Sequence, residues 1–347
     1  MMAGTFETMD KVLPGVYLNF QTNEPLSIQV SDRGTVFLMQ EMSVGIKGEV
    51  YTVTALENDY PEGVTSADKK LVIEALKLAK TIKVYNLGNT KHGADDVNAA
   101  LTKFRTETFD TLCYPYDEED GAEIKNTIVA WLKSMNDDEG VGVNGVLANC
   151  KADSEYVINV ANAVVLEDGE LTIPQTTAWV AGATAGASIS TSNTNMKYAG
   201  AIDVEPRMTK TEMEKAVNEG KFIFKVDSSQ NVTAVYDINS LTSFTPEKSK
   251  KFRKNRIVRA IFNVKNDIRI IFESNYLGKY NNDEDGRSLL RAALIEYFNE
   301  LQRLKAIQNF TADDVTVSAG ADTDSVVINV AIQTVDSIEK IYITVNM

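Results

Sequence analysis

Residues 111–148 read TLCYPYDEEDGAEIKNTIVAWLKSMNDDEGVGVNGVLA, and this stretch decides the fold class. Residues 111–116 and 143–148 are short, mostly apolar runs that are typical of strands. Between them the apolar side chains recur at helical spacing, at Ile124, Ile128, Trp131, Leu132 and Met135. A strand, a helix and a second strand in this order predict a βαβ unit in a partly parallel sheet. We therefore expect a mixed fold with α/β and α+β parts.

The sequence on both sides of this unit continues the alternation of strands and helices. Strands are predicted at residues 34–39, 49–53, 81–87, 222–227, 232–238, 314–318, 325–335 and 340–346. Helices are predicted from Ser66, from the capping box of Thr209 and Glu212, from the Thr245-Pro246 pair and over residues 287–306. The helix that starts at Thr245 is expected to exceed about 25 residues. Residues 156–165 fit either a strand or a buried helix, and the Ala- and Gly-rich residues 178–188 predict close packing.

Both ends of the sequence are expected to form strands that have no hairpin partner nearby. The early strand follows a Pro-Gly turn and comprises Val16, Tyr17, Leu18, Asn19 and Phe20. The late strand comprises Lys340, Ile341, Tyr342, Ile343, Thr344 and Val345, in which every second side chain faces the same way. Each strand could lie at a sheet edge of its own subunit or complete the sheet of another molecule. Residues 1–20 lack the apolar run of a secretory signal.

Composition excludes several classes of protein. The 347 residues carry 35 basic and 49 acidic side chains, a formal net charge of −14, and this excess repels nucleic acid. Hydrophobic residues make up 44% of the chain, but no apolar run approaches the roughly 18 residues that span a bilayer. Cys113 and Cys150 are too far apart for a CxxC motif, so neither a disulfide framework nor a zinc site is expected. These features favour synthesis in a reducing cytoplasm, with no membrane insertion.

No motif for catalysis, a cofactor or a metal is found. The single histidine, His92, lies in a polar loop and is interpreted as a solvated residue. The glycine-rich residues 182–188 contain neither GK[ST] nor GxGxxG, so no nucleotide site is predicted. Residues 281–286 begin like a calcium loop, but its twelfth position is Ala292 instead of glutamate. We therefore expect no enzyme activity, no cofactor and no metal.

One basic cluster contrasts with the acidic total. Its members are Lys248, Lys250, Lys251, Arg253, Lys254, Arg256 and Arg259. Acidic runs occur at residues 117–120, 137–139 and 283–285. A molecule with one basic ridge and several acidic patches can attract copies of itself, although each exposed pair contributes only about 0–1 kcal/mol. The cluster is therefore predicted to lie between subunits.

Short motifs along most of the chain resemble one protein family. They are GTF at 4–6, KVLPGVYLNF at 11–20, DRGTV at 32–36, YAGA at 198–201, NEGKF at 218–222, DINSL at 237–241, KNR at 254–256 and YLGK at 276–279. Their order, with two helices followed by a final β segment, is similar to that of contractile phage tail sheath proteins of the prophage-like particle or R-type bacteriocin type. Residues 87–180 contain no motif that contributes to this resemblance.

The resemblance implies a multi-subdomain tail-sheath fold with extended N- and C-terminal β-arms. The expected parts are an N-terminal arm (1–25), an N-terminal α/β subdomain (26–90), a central α/β subdomain (91–200), a C-terminal core (201–335) and a C-terminal arm (336–347). Hinges are expected near residues 22–25 and 335–337. In this family the arms exchange strands between subunits.

The resemblance also implies a structural function and a set of partners. Sheath subunits form a helical homopolymer of stacked hexameric rings around a tail tube, together with baseplate and tail terminator proteins. Contraction drives the tube through a cell envelope. The expected location is a virion or phage-tail-like particle that is assembled in the cytoplasm of a host bacterium. The alternatives are a cytoplasmic enzyme of the open α/β class with an unknown substrate, and the sheath of a related contractile secretion device.

Overall fold

The structure is a computed structural model that describes residue 30 and residues 33–56, 58–117 and 121–345. The predicted early strand lies outside these residues. The helices of the described part are α1 (Ser66–Leu76), α2 (Ala94–Phe104), α3 (Ala122–Asp137), α4 (Ile173–Gly186), α5 (Lys210–Asn218), α6 (Asn255–Ile271) and α7 (Glu284–Arg303). The first strands are β1 (Thr35–Gln40), β2 (Val50–Thr54), β3 (Thr81–Asn86), β4 (Thr111–Tyr114), β5 (Asn144–Ala148), β6 (Val157–Val160), β7 (Ala163–Leu166) and β8 (Gly169–Leu171). The later strands are β9 (Ala201–Glu205), β10 (Lys221–Phe222), β11 (Phe224–Val226), β12 (Val232–Ala234), β13 (Ile307–Gln308), β14 (Val315–Ala319), β15 (Val326–Val330) and β16 (Gln333–Thr334).

A seven-stranded sheet forms the centre of the molecule. Its strand order is β10-β6-β5-β4-β1-β3-β2, and only the β2–β3 pair is antiparallel. Every residue of β4 and β5 is buried, as expected for parallel strands that are covered by helices on both faces. The βαβ prediction is confirmed, because β4, α3 and β5 follow in that order and β4 pairs in parallel with β5.

Helix α4 packs tightly against one face of this sheet and against α1. From Thr176 to Ala185 its residues are apolar or small on all sides and all are buried, which is typical of a helix enclosed within a core. At Gly182 and Gly186 the helix backbone approaches the backbone of Ala75 and Leu78 so closely that a Cβ atom would overlap it. The predicted close packing of residues 178–188 is confirmed, and residues 156–165 form two strands, β6 and β7.

His92 is buried and is not the solvated loop residue that the sequence suggested. Its Nδ1 lies 2.7 Å from Glu41 Oε1 and its Nε2 lies 2.8 Å from the hydroxyl of Tyr114. The ring of Tyr116 packs against it with a centroid distance of 4.6 Å. The group lies beside the carboxyl ends of β1 and β4, where the strand order reverses and where doubly wound enzymes bind their ligands. Packed side chains therefore fill this position.

The helix predicted from Thr245 begins later and is shorter than expected. Residues 250–253 form a 3₁₀ turn, and α6 starts only at Asn255. The preceding backbone bonds to residues 237–239 instead, with Asn239 N donating to Arg253 O and Asn255 N donating to Asp237 O. These bonds replace the intrahelical ones that the prediction required. The Thr209 capping box at the start of α5 is present as predicted.

A separate hydrophobic cluster surrounds α7. Leu294, Tyr297 and Phe298 of this helix are buried against the second half of α6 and against the hairpin of β14 and β15. Arg291 Nε donates to Val315 O and joins α7 to β14. The predicted subdomain boundaries stay a prediction, although segments 26–90 and 91–200 both contribute strands to the seven-stranded sheet.

Candidate subunit interface

Residues 340–345, here called the free segment, leave the surface of the molecule with their side chains in solvent. They form no strand with other described residues. Ile341, Tyr342, Ile343 and Val345 are 74%, 90%, 79% and 77% exposed. Isolated exposed apolar residues are common on protein surfaces, but a contiguous apolar stretch indicates a contact surface. The free segment therefore has the pattern of a strand without a partner in its own described chain.

The chain immediately before the free segment is held firmly. Glu339 Oε1 accepts hydrogen bonds from Thr194 Oγ1 at 2.8 Å and from Ser192 Oγ at 3.1 Å, and Glu339 Oε2 contacts the ammonium of Lys254. Arg256 Nη1 donates to Ser337 Oγ at 2.6 Å. The change from held to free chain thus follows Glu339, which is later than the hinge predicted at residues 335–337.

The basic cluster does not form one exposed ridge. Arg253, Arg256 and Arg259 are 7%, 8% and 1% exposed, whereas Lys250 and Lys251 face solvent. The three arginines recur at a spacing of three residues, so the 3₁₀ turn and α6 point them all inward. Arg259 Nη2 lies 3.1 Å from Asp237 Oδ2 and donates to Thr191 O. Lys248 pairs with Glu155 within the same chain.

Lys254 lies between two carboxylates and an aromatic ring. Its ammonium contacts Glu339, lies 3.3 Å from Asp336 Oδ2 and lies 4.5 Å from the centre of the Tyr236 ring. Burial lowers the pKa of Lys254, while the charge of Asp336 opposes this effect. A cation in this position is most stable when both carboxylates remain in place.

The β14–β15 hairpin offers a complementary surface. It is a two-stranded antiparallel sheet, and no other described strand pairs with either of its outer edges. A groove of about 230 Å³ lies beside β15, and its apolar lining comes from Val326 and Ile328 of the strand and from Phe272, Tyr276 and Leu290 of the helical layer. Polar side chains, including Arg287 and Asp324, line the rest of the groove. Val327, on the opposite face of β15, is 46% exposed. An added strand at this edge would extend the sheet and reach the groove with alternate side chains.

The calcium-like loop and the two cysteines have contacts that explain them as parts of the fold. Asp283 is the N-cap of α7, and its Oδ1 accepts a hydrogen bond from Gly286 N at 2.8 Å. Burial raises the pKa of the Cys113 thiol to about 12, although a hydrogen bond with Thr177 opposes this, and burial also raises the pKa of Cys150. Thiols with raised pKa values are poor nucleophiles. Within the described ranges, no helix is both long and apolar enough to cross a membrane.

Comparison with known proteins identifies the family. One family model, the phage tail sheath protein central domain, matches residues 90–240, and a second, the phage tail sheath C-terminal domain, matches residues 247–347. The tail sheath protein of Clostridium phage phiCD119 is 30% identical over 312 residues, which cover 87% of this chain and 84% of that protein. The chain belongs to the phage tail sheath protein family. The resemblance inferred from the dispersed motifs is thus confirmed.

Solved structures of the tail sheath family agree with the fold. A sheath tail protein of Desulfitobacterium hafniense is 30% identical and superposes with a TM-score of 0.83, over 95% of this chain and 99% of that one. The anti-feeding prophage sheath in its contracted state has a TM-score of 0.72 at 16% identity, over 97% of this chain and 99% of that one, and shares the fold. The predicted mixed α/β class is confirmed.

The chain is shorter than its two Bacillus subtilis relatives. It is 35% identical to protein YqbK over 310 residues, which are 87% of this chain but 64% of that protein. It is 38% identical to protein XkdK of the phage-like element PBSX over 264 residues, which are 72% of this chain but 56% of that protein. The chain therefore spans about three fifths of the length of these two relatives.

Proposed function

We propose that this chain is a structural, non-enzymatic subunit of a contractile tail sheath. It polymerises helically around a tail tube through exchanged strands, and contraction of the polymer drives the tube through a cell envelope. The observation that carries this proposal is the free segment, whose alternating apolar side chains are exposed next to a firmly held Glu339. The partners are further copies in stacked hexameric rings, the tail tube, and baseplate and tail terminator proteins. The location is a virion or a phage-tail-like particle that is assembled in the bacterial cytoplasm.

The β14–β15 hairpin is the proposed acceptor of the strand. A two-stranded sheet is only marginally stable alone, and an added strand satisfies the free N–H and C=O groups of an edge. Ile341, Ile343 and Val345 lie on one face of an extended strand and match the apolar part of the groove beside β15. Because donor and acceptor are different surfaces, the contact is heterologous and generates a ring or an open helix. Residues 16–20 are proposed as the second exchanged strand.

The proposed role of the basic cluster is limited to its exposed lysines. Lys250 and Lys251 can reach acidic patches on another subunit, whereas the three arginines are buried within the chain. Contacts of exposed charges steer the approach of subunits and set their orientation more than they add to affinity. The alternative of an open α/β enzyme is disfavoured by the packed group around His92 and by the raised pKa values of both cysteines.

Negative-stain electron microscopy and sedimentation of the concentrated protein test this function. The full chain should form rings or tubes, and a chain that ends at Glu339 should stay unassembled with an unchanged thermal unfolding curve. Leu56→Ser is the matched control, since Leu56 is 97% exposed but lies far along the chain in the loop after β2. Closed small oligomers of the full chain, or tubes formed by the truncated chain, would contradict the proposal.

Deletion of residues 1–20 tests the second strand separately. If these residues pair between subunits, the shortened chain should keep the unfolding temperature of the full chain but lose the polymer. A clear drop in the unfolding temperature would show instead that residues 16–20 pair within their own subunit.

A further inference from the structure

We propose that Glu339 is a positioning residue that fixes the register of the free segment, so that a single face of the exchanged strand meets its acceptor. This inference rests on the proposed strand exchange and adds the element that controls it. The side chains that hold Glu339 come from two separate parts of the chain, residues 192–194 and Lys254.

The side chain of Glu339 is buried and makes several contacts. Its side chain is 7% exposed, and each oxygen has a partner: Oε1 accepts from Thr194 and Ser192, while Oε2 contacts Lys254. Its neighbour Ile338 is 88% exposed. A buried carboxylate between the exposed side chains of Ile338 and Lys340 therefore acts as the last fixed point before the free segment.

The partners of Glu339 are themselves held by further contacts. Lys254 directly precedes α6 and forms a β-bridge with Ile238. Thr194 Oγ1 accepts from the backbone N of Asp237, and Asn193 N donates to Asp237 Oδ2. The carboxylate of Asp237 is in turn paired with Arg259. The position of Glu339 is thus fixed, through Lys254 and Thr194, by the buried pair of Asp237 and Arg259 and its neighbours.

In an extended strand, the register decides which side chains face the acceptor. Side chains of an extended segment alternate between two faces, so that a shift of one residue exchanges Ile341, Ile343 and Val345 for Tyr342 and Thr344. Only Lys340 separates the fixed Glu339 from the first apolar residue. Without the contacts of Glu339, the next held position is Ser337, and each freed residue adds roughly 3.3 Å of slack. That slack is enough for a one-residue shift in register.

Insertions between Glu339 and Lys340 test this inference directly. One inserted alanine turns the apolar face over, whereas two inserted alanines restore it. We expect the critical concentration for assembly to rise at least about tenfold with one alanine, which corresponds to about 1.4 kcal/mol, and to rise less with two. Equal assembly of both insertion variants would overturn the inference, because it would mean that the segment has enough slack to adjust.

Substitutions of Glu339 test the same inference without a change in length. Glu339→Ala should raise the critical concentration as much as the single insertion does. Glu339→Gln, which keeps an acceptor for Thr194 and Ser192, should restore part of the assembly. Glu247→Gln is the matched control, because Glu247 is exposed and removal of its charge should leave assembly unchanged.

A measurement on the unassembled subunit keeps the inference testable even where a variant cannot assemble. Spin labels can be attached selectively at Ile338→Cys and Ile343→Cys, because the two native cysteines are buried and poorly reactive. The label at 338 should show restricted motion, because the held residues Ser337 and Glu339 flank it, and the label at 343 should move freely. In the Glu339→Ala background the label at 338 should become as mobile as the label at 343. Equal mobility of both labels with Glu339 in place would overturn the inference.

The outcomes separate the inference from the proposed function. If truncation after Glu339 abolishes assembly but the Glu339 variants and the single insertion assemble normally, the positioning role is wrong and strand exchange stands. If the truncated chain assembles like the full chain, strand exchange through the free segment is itself wrong.

Discussion

Apolar side chains are buried in the central sheet but exposed in the last described residues. In the centre, Val36, Leu38, Val146 and Ile158 of the parallel strands are completely buried between helices of the same chain. In the free segment, Ile341, Ile343 and Val345 are likewise branched apolar side chains, but they lie in solvent. Since burial of apolar area is the main source of folding stability, the first set stabilises the subunit and the second is available to stabilise an assembly.

The difference extends to the charged groups that support each region. Arg259 and Asp237 form a completely buried pair that belongs to the folded body. Lys254 and Glu339 form a pair at the boundary between the body and the free segment. Substitutions in the centre should therefore change the free energy of unfolding, and substitutions beyond Glu339 should change assembly alone.

The largest effect is expected from Arg259→Leu. The side chains of Arg259 and Asp237 are 1% and 0% exposed, so this substitution leaves a carboxylate buried without its cation. We expect the free energy of unfolding to fall by about 3–5 kcal/mol in urea denaturation. Lys251→Leu, in the same basic cluster but exposed, should change it by about 0.5 kcal/mol or less. Similar losses at both positions would contradict the division of the cluster into buried and exposed members.

A smaller loss is expected from Gly186→Ala. Alanine favours a helix by about 1 kcal/mol over glycine, but here its Cβ would overlap the carbonyl oxygen of Leu78, which belongs to the backbone and cannot rotate away. Overpacking typically costs about 1–3 kcal/mol, so the net change should be destabilising. At Gly93 an added Cβ meets no atom within 4 Å, and Gly93→Ala is the control. Thermal unfolding of both variants gives the comparison, and stabilisation by Gly186→Ala would contradict the close approach of α4 and α1.

An acid-dependent effect is expected at Asp68, a carboxylate that holds the start of α1. Burial opposes its ionisation, but hydrogen bonds from Ser43 and Thr65 prevail and lower the pKa of Asp68 to about 2. A carboxylate with a depressed pKa in the folded state stabilises the fold above its unfolded pKa, and this contribution disappears as the pH falls from about 4 to about 2. Asp68→Asn should therefore lower the free energy of unfolding by about 2 kcal/mol at pH 7 and much less at pH 2. A difference between the two proteins that does not depend on pH would contradict this assignment.

The sequence predicted well what depends on local pattern. The order β4, α3 and β5 follows from apolar spacing within 38 residues, and the start of α5 follows from the Thr209 capping box. The tail sheath family was likewise evident from short motifs in a fixed order. These features need no information about distant partners.

The features that escaped prediction depend on residues far apart in the chain. His92 is buried because Glu41 and Tyr114 surround it, and Glu339 is held by Lys254 and Ser192, which are 85 and 147 positions away. The inward direction of Arg253, Arg256 and Arg259 follows from the late start of α6, which is set by backbone bonds to residues 237–239. A capping box at residues 254–257 would have marked that start, but Lys254 carries no side-chain cap.

The smallest effect on folding, and a large one on assembly, is expected from Ile343→Asp. Ile343 is 79% exposed, so the free energy of unfolding should change by about 0.5 kcal/mol or less. In an exchanged strand the same side chain would enter the groove beside β15, whose mostly apolar lining disfavours a carboxylate. Thr344→Asp adds the same charge at the next position but on the opposite face, and should reduce assembly less.

The pair of variants at 343 and 344 distinguishes an exchanged strand from non-specific apolar association. Both add one negative charge to the same exposed segment, so net charge changes equally. If a strand forms between subunits, sedimentation should show a much higher critical concentration for Ile343→Asp than for Thr344→Asp. If the apolar residues associate with other subunits without adopting a strand, positions 343 and 344 do not lie on different faces. Both variants should then assemble equally poorly.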